Sequence, residues 1–138
     1  MAAEVKFVDN RIQVKKAIQS KALAVLEECT GELESQVKRN TRVDTGQTKN
    51  SWTHTVAESG GEFVGTVGSN HENAIWEEFG TGEHALAGNG RKGGWHYKDA
   101  KGKWHHTYGK KPSRALHNAW ASLKNKIINH IQNSFKGL

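Results

Sequence analysis

Cysteine, proline and methionine each occur only once in this chain, as Cys29, Pro112 and Met1. A lone cysteine excludes an internal disulfide, and Cys29 falls on the apolar stripe of a helical pattern, which predicts a buried, inert thiol. No apolar run approaches the roughly 20 residues of a membrane-spanning helix. Met1 to Lys6 lacks the apolar core of a signal peptide, which predicts assembly in the cytoplasm. Hydrophobic residues, at 35%, are few for a folded protein. Acid is also scarce in one region. Residues 91–138 hold eleven Lys/Arg and only Asp99, whereas residues 1–90 hold nine Lys/Arg and thirteen Asp/Glu, so a +10 segment follows a −4 segment in a chain of net charge +6. Such an asymmetry points either to nucleic acid or another polyanion, or to copies of the chain binding acidic surface to basic surface.

At 138 residues the chain is read as a single domain, 1–138, with residues 1–9 as an N-terminal extension. Asp9 or Asn10 can cap a helix that begins near Arg11. Val14, Ile18, Ala22, Val25, Leu26, Cys29, Leu33 and Val37 recur at three- and four-residue steps, which predicts an amphipathic helix of about 28 residues, roughly 40 Å long. Gly31 weakens it by about 1 kcal/mol relative to alanine. Asp44-Thr45-Gly46-Gln47 has the spacing of a capping box, and Asp44 and Gly46 read as cap and tight turn. Ser51 to Val56 and Phe63 to Gly68 read as a β-hairpin around Glu58-Ser59-Gly60-Gly61, with Trp52, His54 and Val56 on one face. Ala74, Ile75, Trp76 and Phe79 make a short apolar face at helical spacing, and Gly80-Thr81-Gly82 ends it.

Residues 83–94, with glycines at 88, 90, 93 and 94, read as a flexible exposed loop. Trp95 to Lys98 and Lys103 to Thr107 read as a second hairpin, across which Trp95, Tyr97 and Trp104 can pair. Pro112 and a capping Ser113 announce the last helix, with Leu116, Ala119, Trp120, Leu123, Ile127, Ile131 and Phe135 as its stripe. The fold class is α+β: long N- and C-terminal helices packed on a small antiparallel sheet built from two hairpins.

Three pieces carry a family resemblance. They are Val43-Asp44-Thr45-Gly46 with Lys49-Asn50-Ser51; Asn73 to Gly82, centred on Glu77-Glu78-Phe79-Gly80-Thr81-Gly82; and Gly94-Trp95-His96-Tyr97 through Gly102-Lys103-Trp104 to Lys111-Pro112-Ser113. In this order and spacing the chain resembles the neck, or head–tail joining, proteins of long-tailed bacteriophages, also called minor tail or tail-completion proteins. Relatives commonly carry an aromatic and an apolar residue after the proline, where this chain has Ser113-Arg114. The resemblance implies a structural virion component and no enzyme or cofactor. It also implies assembly in the host cytoplasm into a ring, commonly sixfold, around the DNA passage at the neck or tail end. The partners it implies are other copies, adjacent neck, head-completion or tail proteins, and phage DNA passing through; a membrane is not among them.

A ring requires two different patches that meet head to tail. On this reading the acidic Glu72, Glu77, Glu78 and Glu83 face a basic set that includes Arg91, Lys92, Lys98, Lys101, Lys103, Lys110 and Lys111, with charge setting register more than affinity. Trp76, Phe79, Trp95 and Trp104 are the candidate anchors, and Gly80, Thr81 and Gly82 belong to the same candidate interface. Arg91, Lys92, Lys98, Lys101 and Lys103 are candidate contacts to DNA or to an acidic partner.

Competing chemistries are weaker. Asp44-Thr45-Gly46 also matches the aspartic protease triplet, but Arg39-Asn40-Thr41-Arg42 stands where an apolar strand is needed, and no flap-like sequence follows. His96, His105 and His106 share a hairpin, and His96 could meet His105, yet a third metal ligand is not evident. The alternative function is a small nucleic-acid-binding module using the Lys/Arg/aromatic segment 91–114. No helix-turn-helix, zinc finger or single-strand-binding motif accompanies it.

Overall fold

A computed structural model describes residues 5, 7–43 and 46–137. Asp44 and Thr45, the cap and first turn residue of the predicted capping box, lie outside the described residues. The elements follow in the order α1 (Arg11–Asn40), α2 (Gln47–Asn50), β1 (Trp52–Ser59), β2 (Glu62–Ser69), α3 (Glu72–Phe79), a 3-10 turn (Gly82–His84), β3 (Trp95–Lys98), β4 (Trp104–Thr107) and α4 (Ala115–Ser134).

The long helix is the spine. Its stripe buries Val25, Cys29 and Val37, and β1, β2 and α4 all pack along it. Two clusters result. Val25 and Cys29 meet Ile127 of α4, with Leu33, Leu123 and Ile131 around them. Val37 meets Trp52, Ala74, Ala115 and Ala119, with Leu33, Val67 and Leu116 around them. The Trp52 indole donates to the hydroxyl of buried Thr41 at 3.0 Å, which satisfies both polar groups. Burial pushes the Cys29 thiol pKa up, helped by Glu28 and Glu32, so the thiol stays protonated and unreactive.

β1 and β2 are joined by Gly60-Gly61, both with positive φ, the two-residue turn that suits strand twist. Their inward alternation needs one close approach. A Cβ on Gly65 would stand 2.5 Å from Thr30 Cγ2, so β2 lies against α1 only because position 65 has no side chain. His54 ties β1 to the spine: its Nε2 is 2.6 Å from Glu27 Oε1, and Glu34 Oε2 lies 3.3 Å from Nδ1. The Glu27 hydrogen bond, with Glu34 adding to it, outweighs partial burial and raises the His54 pKa.

The hairpins remain two separate two-stranded ladders rather than the single small sheet expected from the pattern. The first lies along α1. The second is only four residues per strand and reaches the domain through the backbone that follows it. Its register also corrects two expectations. Trp95 pairs with Thr107, Tyr97 with His105, His96 with His106 and Lys98 with Trp104. Because side chains alternate across a strand, Trp104 projects from the face opposite Trp95 and Tyr97, and the three cannot pair. His96 meets His106, ring centres 4.6 Å apart and planes tilted by 50°, and not His105. His105 instead sits 2.7 Å from Asp99 Oδ2, in the turn that also holds the Lys101 and Lys103 amides on Asp99 Oδ1.

Candidate functional site

α3 is short, and its glutamates are not the open acidic patch expected of them. Its buried residues are Ala74, Glu77 and Glu78, while Ile75, Trp76 and Phe79 are half or more exposed. Two buried adjacent carboxylates require strong compensation, and each has it.

Glu77 is clasped by cations from opposite sides. Its Oε2 accepts from Arg42 Nε at 3.1 Å and Nη2 at 2.8 Å. Its Oε1 accepts from Lys110 Nζ. Burial opposes ionisation, but Lys110 and Arg42 outweigh it, and the carboxyl is held below the ordinary glutamate value. Arg42 also donates to the Lys111 carbonyl at 2.9 Å, and the Glu77 carbonyl accepts from Ser113 N at 2.7 Å and Ser113 Oγ at 3.1 Å. One residue thus joins the end of α1 to the approach to α4.

Glu78 caps another helix. Its Oε2 accepts from Leu116 N at 2.9 Å and its Oε1 from His117 N at 3.0 Å. Leu116 and His117 are the second and third residues of α4, so their amides lack carbonyl partners within the helix. A carboxylate there also meets the positive end of the helix dipole. Ser113, the predicted cap, is occupied by Glu77; the N-cap position belongs to Arg114. Arg114 adopts φ 56, ψ 36, a left-handed conformation uncommon for a residue with a side chain. Its guanidinium lies 5.5 Å from the Phe79 ring centre and 3.7 Å from Glu78 Oε1. An aromatic or apolar residue at this position would supply neither charge contact.

Gly80-Thr81-Gly82 follows from the same joint. The Thr81 amide donates to the Lys110 carbonyl at 2.9 Å, the Lys110 amide to Thr81 Oγ1 at 2.8 Å, and the Glu83 amide to the Tyr108 carbonyl at 2.8 Å. Both glycines have positive φ, and a Cβ would stand 2.7 Å from the His84 carbonyl at Gly80 and 2.3 Å from the Tyr108 carbonyl at Gly82. Two backbones run side by side with no room for a side chain. Residues 83–94 hold little regular structure, yet they are tethered: Leu86 N donates to the Phe79 carbonyl at 2.9 Å and Gly93 N to Glu83 Oε1 at 3.2 Å.

The three sequence pieces therefore converge. Val43, Gly46, Gln47 and Thr48 border the same polar cavity, of about 370 Å³, as Asn73, Glu77 and Lys110. Gly46 has φ 85 and begins α2, consistent with a tight turn there. Of the candidate interface residues, Glu77, Glu78, Gly80, Thr81 and Gly82 are engaged within the chain. Trp76, Phe79 and Trp104 are exposed, and Trp95 is half-buried. Arg91, Lys92, Lys98, Lys101 and Lys103 are all exposed; Arg91 lies over the Trp95 ring at 5.8 Å. Among the described residues no group of three or more His, Cys, Asp and Glu is placed to hold a metal ion, and no helix is long and apolar enough to cross a membrane.

Sequence reasoning missed Arg42 and Arg114 as partners of the glutamates, and set Lys110 opposite them between copies where the pairing lies within the chain. The adjacent Glu77-Glu78 pair gave no local signal of burial, because neighbours about 100° apart on a helix can both face solvent.

Fold and site together define a small α+β structural domain whose marked residues build a rigid joint and leave an aromatic ridge outside. The chain belongs to the HK97-gp10-like family of bacteriophage tail components, whose family model matches residues 6–80. The match runs from the start of α1 through α3 and ends within the Gly-Thr-Gly turn. No curated protein and no solved structure matches the chain.

Proposed function

We propose that this tail component acts at the neck, as a ring of identical copies that completes the tail or joins it to the filled head. The observation that carries this reading is the exposed row Ile75, Trp76 and Phe79 on α3, held on a joint fixed by buried charges. Large aromatics exposed side by side mark protein interfaces, and a rigid mount removes the cost of ordering them on assembly. Their mounting is also redundant, through Arg42, Lys110, Arg114 and the α4 N-terminus. The basic strip from Arg91 to Lys103 suits a surface near DNA or an acidic neighbour. No chemistry is assigned to the chain: its role is geometric.

The test is electron microscopy of particles made from a genome that lacks this gene. Filled heads with separate or malformed tails are expected. Normally joined particles would remove the neck assignment.

A further inference from the structure

Besides the ridge on α3, a second apolar surface lies open at the other end of the molecule. The first turns of α1 and the tip of the first hairpin border a groove of about 970 Å³, whose apolar wall is Phe7, Val8, Val14, Ile18 and Phe63. Phe7 is 88% exposed, Val14 52% and Ile18 41%, although the last two belong to the stripe that is buried further along the same helix. Ridge and groove cannot meet within one chain. Arg42, just past α1, touches Glu77 beneath the ridge, and Ile18 lies about 33 Å back along the helix at 1.5 Å per residue.

We infer that the groove of one copy receives the α3 ridge of the next. The contact is heterologous, and repetition of such a contact closes a ring or extends a filament; the inference therefore rests on the ring reading and names its two surfaces. Shape agrees: a helix with exposed apolar residues at 75, 76 and 79 presents one apolar edge, the form that docks into a groove. Charge agrees as well, and fixes direction. The helical wall of the groove carries Lys15 beside an Arg11 that is paired with Asp9 at 2.7 Å, a net positive charge, while the hairpin wall carries the anionic Glu58. The ridge begins at the anionic Glu72 and is flanked beyond Phe79 by Arg114, with Arg91 and Lys92 in the loop that follows. Glu72 then lies against Lys15 on the helical wall, and the cationic flank lies on Glu58.

The experiment is native mass spectrometry of the full chain over a wide concentration range, with Ile18→Asp and Trp76→Asp variants. Both positions are exposed, and unchanged helical circular dichroism confirms folding. The wild type is expected to form closed oligomers and each variant to be monomeric. An equimolar mixture of the two variants should give a one-to-one pair and nothing larger, because one intact groove and one intact ridge remain between them. Variants that still assemble like the wild type, or a mixture that stays monomeric, would overturn the pairing and leave the ring reading standing. A wild type monomeric at every concentration would overturn both. A second measurement does not depend on the aspartates: a chain carrying Ile18→Cys and Trp76→Cys should oxidise to a covalent ladder of copies. A chain that stays single would refute the contact.

Discussion

Gly31 of α1 faces β1 and Gly65 of β2 faces α1, yet glycine matters at only one of them. At Gly31 a Cβ would lie 3.8 Å from the His54 ring, an ordinary contact, and the backbone is helical. Gly31→Ala should therefore stabilise the protein by about 0.5–1 kcal/mol through helix propensity alone. At Gly65 the added methyl collides with Thr30, and Gly65→Ala should cost about 1–3 kcal/mol as strand and helix are forced apart. Urea denaturation of both variants checks the pair; equal effects would show that the strand–helix approach is looser than described. Glu77 carries a pH signature. Its folded pKa is below its ordinary value of 4.5, so its contribution is complete above that value and is lost as pH falls through the lower folded one. His54 works in the opposite sense. Its folded pKa is above the ordinary 6.5, so its contribution is complete below 6.5 and fades as pH rises through the folded value. Thermal melts across pH should show Glu77→Gln flattening the acid limb and His54→Gln the neutral-to-alkaline limb. Variants with unaltered profiles would show that these contacts do not contribute to stability.

At the level of elements, the capping of α4 from a distance is the feature with the clearest consequence. Glu78→Ala removes the acceptor for two helix-terminal amides and should cost about 1–2 kcal/mol, in the range of a lost cap. Glu78→Gln keeps one oxygen acceptor and should cost less. Chemical denaturation compares them, and an alanine variant as stable as the wild type would mean that water serves those amides equally well. The same element shows where sequence reasoning ends. The spine, the first hairpin and α4 were legible because their periodicities are long and their burial is local to the pattern. α3 was legible as a helix, but Glu77 and Glu78, read as an open acidic patch, are buried. Burial of Glu77 and Glu78 depends on Arg42, 35 residues earlier, and on the start of α4, 38 residues later. Nothing in an eight-residue window reports such distant compensation. Ser113 looked like a cap for the same reason: it has the right chemistry at the right place, and a remote carboxylate took the role. The second hairpin was found, but its register shifts with the turn, and a one-residue difference moved Trp104 to the other face and gave His96 a different partner.

For the molecule as a whole, stability is distributed unevenly along the spine. From about Val25 onward α1 is packed by β1, β2 and α4; before Ala22 its stripe has no cover. A short stretch of helix without tertiary packing is only marginally stable. Hydrogen exchange on the dispersed chain should show slow amides over 25–40 and fast amides over 11–20, with protection appearing at 11–20 after assembly. Uniform protection in the dispersed chain would contradict this division. The helix also acts as a ruler. The proposed groove and ridge lie at its two ends, and its hydrogen-bonded length, not a compressible loop, sets their separation. Seven residues inserted into its middle would lengthen the rod by about 10.5 Å and rotate its far end by only about 20°. In the proposed ring the circumference would be encoded in the number of helical turns, and a chain of altered turn count would close on a different number of copies.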